Sequence, residues 1–278
     1  MVTVKEKYGF LPTSVWHLKK NKWIKSFIND DTAEGSTVYT KENGEKSWKS
    51  TRDSISEFNP DLATNIIKYW SNQNDLIIDP FSGRATRGIV AKKLGRKYIG
   101  FDVSPKVCEI VNNRQNQAQQ TIFQESNTIK IINSDGCEMK ELPDNYADMI
   151  FTCPPYWIIE DYNKLYGENI PTQLSDIKDY KLFLDKLKLC AKNCHRVLKD
   201  QKYCIWVVND FRKDKKMYVF HSDLIQIMKE NGLPLWDIVI NELNCNVTGR
   251  VSQSERLGYT VKKHEYILVF KKTDFGVC

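Results

Sequence analysis

Apolar residues follow two alternating patterns between residues 59 and 272. In some segments, such as PDLATNIIKYW and TRGIVAKKLG, they recur at helical spacing, and elsewhere they form short runs that predict buried strands. The predicted strands are NDLIIDP, RKYIGFD, TIKIINSD, ADMIFTC, KYCIWVVND, WDIVINEL and HEYILVFKK. Strands that alternate with helices predict an α/β fold, with a mostly parallel seven-stranded sheet and helices on both of its faces.

The same pattern indicates where a ligand would bind. The last two strands have no helix between them, so we expect them to form an antiparallel pair at the edge of the sheet. Ligands of such sheets bind beyond the carboxyl ends of the strands. Four polar loops lie at those ends: DPFSGRATRG (79–88), DVSP (102–105), NSDG (133–136) and TCPPYW (152–157).

The N-terminal segment 1–52 has a different character. It has little periodicity and contains turn-like pieces such as NDDTAEGS, although three tryptophans argue against disorder. We expect an irregular arm that caps the rest of the protein and could contact DNA. Residues 53–278 would then form the single large domain that a chain of 278 residues allows.

Composition narrows the class of protein. No window approaches the roughly 18 apolar residues of a membrane span, and the opening MVTVKEKYGF has no signal-peptide pattern, so we expect a cytoplasmic protein without a membrane partner. The closest pair of the eight cysteines, Cys190 and Cys194, falls within a helical pattern. This spacing favours reduced, structural thiols and predicts no metal site.

The net charge of +6 is concentrated in lysine-rich stretches. WHLKKNKWIK, FRKDKK and VKKHEYILVFKK combine lysine with aromatic or apolar residues, a pattern that suits DNA or RNA. A protein with a generally lysine-rich surface would show the same stretches, so charge alone leaves both interpretations open.

The loop 79–88 and the second strand predict an adenosine-type ligand. Gly83 permits a tight turn, but the loop matches neither GxGxxG nor the phosphate-binding GK[ST] pattern. Asp102 ends the next strand, where an acidic residue accepts hydrogen bonds from ribose hydroxyls. Asp135 either accepts from an adenine amino group or is a plain turn residue. We therefore expect a ligand that contains adenosine but is not a dinucleotide.

The loop TCPPYW predicts a second binding surface. Proline fixes its own φ and pushes the residue before it toward extended geometry, so Cys153, Pro154 and Pro155 form a rigid segment. Its carbonyl groups could accept from an amino group, and Tyr156 offers a face for stacking a planar base.

DPFSGRATRG, KKLGRKYIGFDVSP, FTCPPYW and KHEYILVFKK together resemble the exocyclic-amino DNA methyltransferases, which use S-adenosylmethionine and carry a [DNS]PPY motif. The chain most resembles small phage-type modification methylases, over roughly residues 55–272. The resemblance implies a Rossmann-like class I methyltransferase fold, double-stranded DNA as partner and the cytoplasm of a bacterial or phage-infected cell. It leaves open a homodimer and a cognate restriction enzyme.

The resemblance also implies roles for individual residues. The cofactor contacts would be Phe58, Pro60, Asp79, Pro80, Phe81, Ser82, Gly83, Ala85, Thr86, Asp102 and Asp135. The catalytic loop would be Cys153, Pro154, Pro155 and Tyr156. The nucleic-acid contacts would be Trp157, Arg212, Arg250, Arg256, Lys262 and Lys263.

The catalytic loop departs from the family motif at Cys153. Asp, Asn or Ser at this position offers an oxygen acceptor, whereas a thiol is a weak acceptor, so the Pro154 carbonyl is the stronger candidate to bind the amino group. Cysteine resembles serine in size, and serine at this position goes more often with cytosine N4 methylation in this family, so the resemblance slightly favours cytosine N4 over adenine N6. The target base would be flipped out of the duplex and held by Tyr156.

Other functions remain as alternatives. RNA bases or a protein glutamine are acceptors of related PPY loops, although the basic surface weighs against a protein. A silent nucleic-acid-binding subunit would be expected to have lost Asp79, Gly83 or the PPY core, and all are present. A nucleophilic role for Cys153 at cytosine C6 is disfavoured, because that chemistry uses proline before cysteine.

Overall fold

The structure is a computed structural model that describes residues 3–18, 37–40, 46–49, 58–119, 129–243, 251 and 255–273. The helices are α1 (Val4–Tyr8), α2 (Pro60–Trp70), α3 (Thr86–Lys93), α4 (Pro105–Gln119), α5 (Tyr162–Tyr166), α6 (Tyr180–Val197) and α7 (Phe220–Glu230), with 3-10 turns at Trp157–Ile159 and Leu174–Asp176. The strands are β1 (Val15–His17), β2 (Thr37–Thr40), β3 (Lys46–Lys49), β4 (Leu76–Asp79), β5 (Lys97–Asp102), β6 (Ile129–Asn133), β7 (Ala147–Thr152), β8 (Leu198–Val208), β9 (Phe211–Lys213), β10 (Lys216–Tyr218), β11 (Leu235–Glu242) and β12 (His264–Lys271).

The central sheet has the strand order β1-β11-β12-β8-β7-β4-β5-β6. The neighbours from β8 to β6 run parallel, whereas β12 runs antiparallel to both β8 and β11. The α/β class, the mostly parallel sheet and the antiparallel last pair are confirmed. On one side of β4 the sheet continues with β5 and then β6. On the other side it continues with β7, so the strand order reverses between β4 and β7.

The predicted number of strands was wrong, because this sheet has eight strands rather than seven. The added strand is β1, which pairs in parallel with β11. A strand of three residues shows no periodic pattern that could reveal it. Trp16 in its centre is buried and packs near Trp70 of α2, with ring centroids 5.7 Å apart.

The N-terminal segment therefore contributes to the main sheet through Val15–His17. Farther along, β2 and β3 pair with each other as an antiparallel hairpin. The predicted domain boundary after residue 52 falls in the range 50–57, outside the described residues, and stays a prediction.

Helices cover both faces of the sheet, as predicted. Helix α2 begins at Pro60 because the Asn59 side chain accepts hydrogen bonds from the backbone N–H groups of Asp61 and Leu62. Its apolar side chains pack on one face. Helix α6 packs on the other. It begins at Tyr180, because the Asp179 side chain accepts a hydrogen bond from the backbone N–H of Leu182.

Two kinds of feature are absent from the described part of the chain. It contains no helix that is long and apolar enough to cross a membrane. It also contains no group of three or more His, Cys, Asp or Glu side chains arranged to hold a metal ion. The described cysteines, including Cys190 and Cys194, are free thiols.

Candidate active site

A cavity of about 420 Å³ lies at the carboxyl ends of the parallel strands, where the strand order reverses. It joins the loop after β4, the end of β5, the loop after β6 and the loop after β7. The predicted residues that line it are Phe58, Pro80, Phe81, Ser82, Gly83, Thr86, Asp102, Asp135, Cys153, Pro154, Pro155 and Tyr156. Pro60, Asp79 and Ala85 are not among the lining residues.

Asp79 lies beneath the cavity and binds four structural elements together. Its carboxylate accepts from Arg87 Nε at 2.6 Å, from the Tyr98 hydroxyl at 2.6 Å and from the Thr152 hydroxyl at 2.7 Å. It also accepts from the backbone N–H of Phe81 at 3.1 Å. Asp79 is fully buried, and its contacts position these elements, while the predicted cofactor contact of Asp79 stays a prediction.

Arg87 completes this buried group. Its guanidinium donates to the Phe81 carbonyl and lies 4.8 Å from the ring centroid of Phe58. Burial alone would lower the pKa of Arg87, but the neighbouring Asp79 carboxylate, together with Tyr98 and Cys153, outweighs burial and raises it. The arginine is therefore a permanent cation, and its charge is balanced by Asp79.

The loop after β4 is shaped for close approach to a ligand. Gly83 and Ala85 have positive φ values of 51° and 57°, and the Gly83 N–H donates to Asp102 Oδ2 at 3.0 Å. Ser82 Oγ is buried and has no hydrogen-bond partner among the described residues, although Ser82 lines the cavity. A buried hydroxyl without a partner costs free energy unless a ligand binds it.

Asp102 lies at the end of β5, as predicted, and its second oxygen accepts from the Ser104 N–H. Burial raises the pKa of Asp102 to about 6, against the hydrogen bonds from Ser104 and Gly83, which lower it. The carboxylate is thus ionised at neutral pH and is oriented by two backbone donors. An ionised, oriented carboxylate suits hydroxyl groups of a ribose.

The loop after β6 brings Asp135 and Gly136 against the loop after β4. Asp135 accepts from the Cys137 N–H and forms an ion pair with Lys186 at 2.5 Å. A Cβ atom on Gly136 would lie 1.9 Å from the Pro80 carbonyl oxygen, well inside van der Waals contact. Only glycine lets the two loops approach this closely.

Replacing Gly136 by alanine should therefore displace the loop after β4. We expect a loss of stability of about 1–3 kcal/mol from overpacking and weaker binding of a ligand in the cavity. Thermal unfolding and calorimetric titration with S-adenosylhomocysteine measure the two effects. Gly258→Ala is a control for the added methyl group, because nothing lies within 4 Å of its Cβ position, although its positive φ of 68° adds strain. A Gly136→Ala protein that binds normally would contradict the role of this contact.

The loop after β7 carries the prolines and tyrosine of the predicted motif. Burial raises the pKa of the Cys153 thiol to about 11, so this thiol is neutral, and its Sγ lies 3.6 Å from the Tyr156 hydroxyl oxygen. No hydrogen bond to the Pro154 carbonyl is found within the described ranges. This carbonyl is therefore available to a ligand at the wall of the cavity.

Trp157 was predicted to contact nucleic acid, and this role stays a prediction. The side chain is only 5% exposed, and its indole Nε1 donates to the Ile177 carbonyl at 2.7 Å. Its ring packs against Tyr180 and Tyr218. These contacts of Trp157 hold the loop after β7 onto the protein.

A family model described as DNA methylase, of the N6 and N4 amino type, matches residues 4–113 and 147–276. The chain belongs to the DNA methylase family. The match includes all four segments that carry the resemblance in the sequence. It also includes β1, which lies outside the range 55–272 over which the resemblance was predicted.

Three curated relatives of this DNA methylase are named Type II methyltransferases. One from Lactococcus lactis subsp. cremoris is 31% identical over 38% of this chain and 42% of its own length. M.HinfI from Haemophilus influenzae is 30% identical over 40% of this chain and 29% of its own. M.MthZI from Methanothermobacter thermautotrophicus is 26% identical over 52% and 45%. The chain spans less than half the length of each of these relatives.

A solved S-adenosylmethionine-dependent methyltransferase from Methanosarcina mazei supports the fold. Its TM-score is 0.50 at 11% identity, and the alignment covers 75% of this chain and 97% of that one. At this identity the likeness shows the shared Rossmann-like architecture alone.

The cavity of the methylase fits S-adenosylmethionine. Its volume falls in the usual range for small-molecule sites, roughly 300–1,000 Å³. The unpartnered Ser82 hydroxyl, the close approach at Gly136 and the ionised Asp102 all lie on the side of the loops after β4, β5 and β6. We call this side the cofactor end.

We call the loop after β7, which contains Cys153, Pro154, Pro155 and Tyr156, the PPY loop. The segment that follows it covers the cofactor end, a feature that the sequence did not predict. Tyr162, Tyr166 and Gln173 line the cavity. Glu168 fastens this segment to the start of α4, because it accepts from the Ser104 hydroxyl at 2.5 Å and from the Lys106 N–H at 3.1 Å. Tyr162 and Tyr166 therefore add aromatic surface to the cavity wall on a segment that is fastened to α4.

Three of the basic residues predicted to contact nucleic acid, Arg212, Lys262 and Lys263, lie near the same edge of the sheet. Arg212 follows the end of β8 and lies 4.7 Å from the Tyr259 ring centroid. Lys262 donates to the Asp210 carbonyl, and Lys263 lies 3.7 Å from Glu242. Arg256 is exposed. Arg250 falls outside the described residues.

Three further lining residues were missed from the sequence: Asn209, Leu243 and Glu265. They come from the end of β8 and from the segments around β11 and β12. Because β12 is antiparallel, its first residues lie at the same edge as the last residues of β8. An acidic residue before the apolar run YILVF was the signal that could have revealed Glu265. We call the part of the cavity formed by these three residues and the PPY loop the acceptor end.

Proposed function

We propose that the protein transfers a methyl group from S-adenosylmethionine to the exocyclic amino group of a base in double-stranded DNA. One observation carries the proposal: a single cavity joins an adenosine-type cofactor end to a loop of two prolines and a tyrosine. Membership of the DNA methylase family supports the same reaction.

S-adenosylmethionine would supply an electrophilic methyl group on a positively charged sulfur. At the cofactor end, Asp102 would bind the ribose hydroxyls, and Ser82 Oγ and Asp135 would offer further polar contacts. Phe58, stacked on the Arg87 guanidinium, is held rigidly beside them. These residues fix the position of the reacting methyl group, and positioning supplies much of the rate acceleration in such transfers.

At the acceptor end, Tyr156 would stack on the flipped base and the Pro154 carbonyl would accept a hydrogen bond from its amino group. This hydrogen bond favours a pyramidal nitrogen, whose lone pair is less delocalised into the ring. The amino nitrogen forms its bond to the methyl carbon as the carbon–sulfur bond breaks, and it then loses one proton. The neutral Cys153 thiol resembles serine in size, which favours cytosine N4 slightly over adenine N6.

Incubation with unmethylated genomic DNA and radiolabelled S-adenosylmethionine tests this proposal. We expect label in DNA, and nucleoside analysis should recover N4-methylcytosine. Recovery of N6-methyladenine alone would correct the target base and keep the reaction type.

Two further substrates separate the alternatives. Transfer to RNA in preference to DNA would indicate an RNA methyltransferase. Binding of S-adenosylhomocysteine without transfer to DNA or RNA would indicate a silent subunit and overturn the proposal. Pro154→Ala is the variant to compare with the wild type in these assays, since alanine keeps the backbone carbonyl group but lacks the ring that fixes the geometry of the loop.

A further inference from the structure

The acceptor end contains a carboxyl group to which the proposed reaction has given no role. Glu265 lies at the start of β12 and lines the cavity together with Cys153, Pro154 and Tyr156. Its charge is close enough to raise the pKa values of both the Cys153 thiol and the Tyr156 hydroxyl. A carboxyl group in this position faces the loop that would hold the target base.

The structure fixes the orientation of this carboxyl group. Glu265 pairs with Asn241 across β11 and β12, and Asn241 Nδ2 donates to Glu265 Oε1 at 2.7 Å. Asn241 is itself buried, 1% exposed, so the anchor is rigid. One oxygen is therefore held by the sheet, and Oε2 has no hydrogen-bond partner within the described ranges.

The PPY loop lacks a strong acceptor beside Pro154. The Cys153 thiol is neutral, since burial raises its pKa to about 11, and its sulfur already contacts the Tyr156 hydroxyl. A thiol sulfur is a weak acceptor. An amino group has two N–H bonds, and the Pro154 carbonyl can accept from one of them.

We propose that Glu265 is the second acceptor for the target amino group and takes its proton during methyl transfer. The inference rests on the proposed function. One N–H would donate to the Pro154 carbonyl and the other to Glu265 Oε2. As the nitrogen–carbon bond forms and the carbon–sulfur bond breaks, the positive charge passes to the nitrogen. The nitrogen then releases its proton to the Glu265 carboxylate, which returns the proton to solvent.

The groups around Glu265 are consistent with this role. Cys153 and Tyr156 face it from the PPY loop, and both stay protonated at neutral pH because burial raises their pKa values. Lys262 faces it from the segment before β12 and favours the ionised carboxylate. Asn209 at the end of β8 and Asn241 on β11 carry no charge.

The expected pH dependence of kcat follows because only the ionised form of Glu265 can accept a proton. Burial raises the pKa of Glu265, partly offset by Asn241 and Lys262. Below that raised pKa the carboxyl group is protonated and can no longer accept the amino proton, so kcat should fall as the pH decreases through it. Glutamine at this position does not titrate, and the residual activity of Glu265→Gln should lack this acid limb.

The test compares Glu265→Gln with Glu242→Gln, which removes an exposed carboxylate from the neighbouring strand. We expect Glu265→Gln to lower kcat for transfer to genomic DNA about 100-fold or more, the usual range for a proton acceptor. Its affinity for S-adenosylhomocysteine and its melting temperature should match those of the wild type. A second substitution, Cys153→Asp in the Glu265→Gln protein, places a carboxylate on the PPY loop and should restore part of the activity.

The outcomes separate this inference from the proposed function. No transfer by the wild type would overturn both. Transfer by the wild type and by Glu265→Gln, at equal kcat and with the same acid limb, would overturn the inference alone. If Glu265→Gln fails to fold, Asn241→Leu replaces it, because that variant keeps the carboxylate and removes its anchor. A folded Asn241→Leu protein with wild-type kcat and pH profile would then overturn the inference.

Discussion

Replacing Asp79 by alanine should lower the free energy of unfolding by about 3–5 kcal/mol, the range measured when one partner of a buried ion pair is removed. The substitution leaves the buried Arg87 guanidinium without its counter-ion and removes the acceptor of the Tyr98 and Thr152 hydroxyls. Urea denaturation followed by tryptophan fluorescence measures the effect. The protein should also lose affinity for S-adenosylhomocysteine, because the loop after β4 loses its anchor at Phe81.

Asp144→Ala is the control for this substitution. Asp144 pairs with Arg196 at 3.0 Å, but its side chain is 70% exposed, so its loss should cost less than about 1 kcal/mol. If Asp79→Ala were no more destabilising than Asp144→Ala, the carboxylate beneath the cavity would not be the anchor that its contacts indicate.

Replacing Tyr156 by alanine should lower kcat/KM for DNA by about 5- to 150-fold, since stacking of a base on an aromatic ring contributes roughly 1–3 kcal/mol. Tyr156 lines the acceptor end, whereas the predicted adenosine contacts lie at the cofactor end. The affinity for S-adenosylhomocysteine should therefore change little. Steady-state kinetics on genomic DNA and calorimetric titration with S-adenosylhomocysteine measure the two quantities.

The chain offers a matched control for the loss of a tyrosine ring. Tyr146 is 40% exposed and precedes β7, at the opposite edge of the sheet from the PPY loop. Tyr146→Ala should keep wild-type kinetics. Equal activity of Tyr156→Ala and wild type would show that the ring does not hold the base.

The elements of the central sheet could largely be predicted because their apolar residues are buried continuously. Strands such as β4 and β7 lie in the centre of the sheet and show this pattern clearly. Strand β1 could not be found in this way, since one buried tryptophan between two exposed residues carries no periodic signal. The strand count was one too low for that reason.

The candidate site could be predicted in its loops but not in its contacts. Position at a strand end indicated Asp102, and the structure places it in the cavity wall. The same argument also selected Asp79, yet its carboxylate points into the protein toward Arg87. Which way a side chain at a strand end points depends on partners from other elements. The sequence does not reveal those partners.

Site residues on antiparallel strands were also difficult to predict from the sequence. Glu265 begins a strand and Asp102 ends one, but both reach the same edge because the two strands run in opposite directions. A search confined to strand ends therefore overlooks the first residues of an antiparallel strand. Trp157 shows a related limit, since its neighbours in the motif line the cavity but its own ring is buried, which the sequence did not reveal.

The pairing of β1 with β11 places an N-terminal strand beside the last two strands of the sheet. Trp16 of β1 lies opposite Asn241 of β11, and Asn241 lies opposite Glu265 of β12, so the three residues occupy one rung of the sheet. The N-terminal strand thus buttresses a residue of the acceptor end without touching the cavity. Removal of residues 3–18 would leave Asn241 on an open edge strand, and the geometry of Glu265 would loosen before any residue of the cavity had been changed.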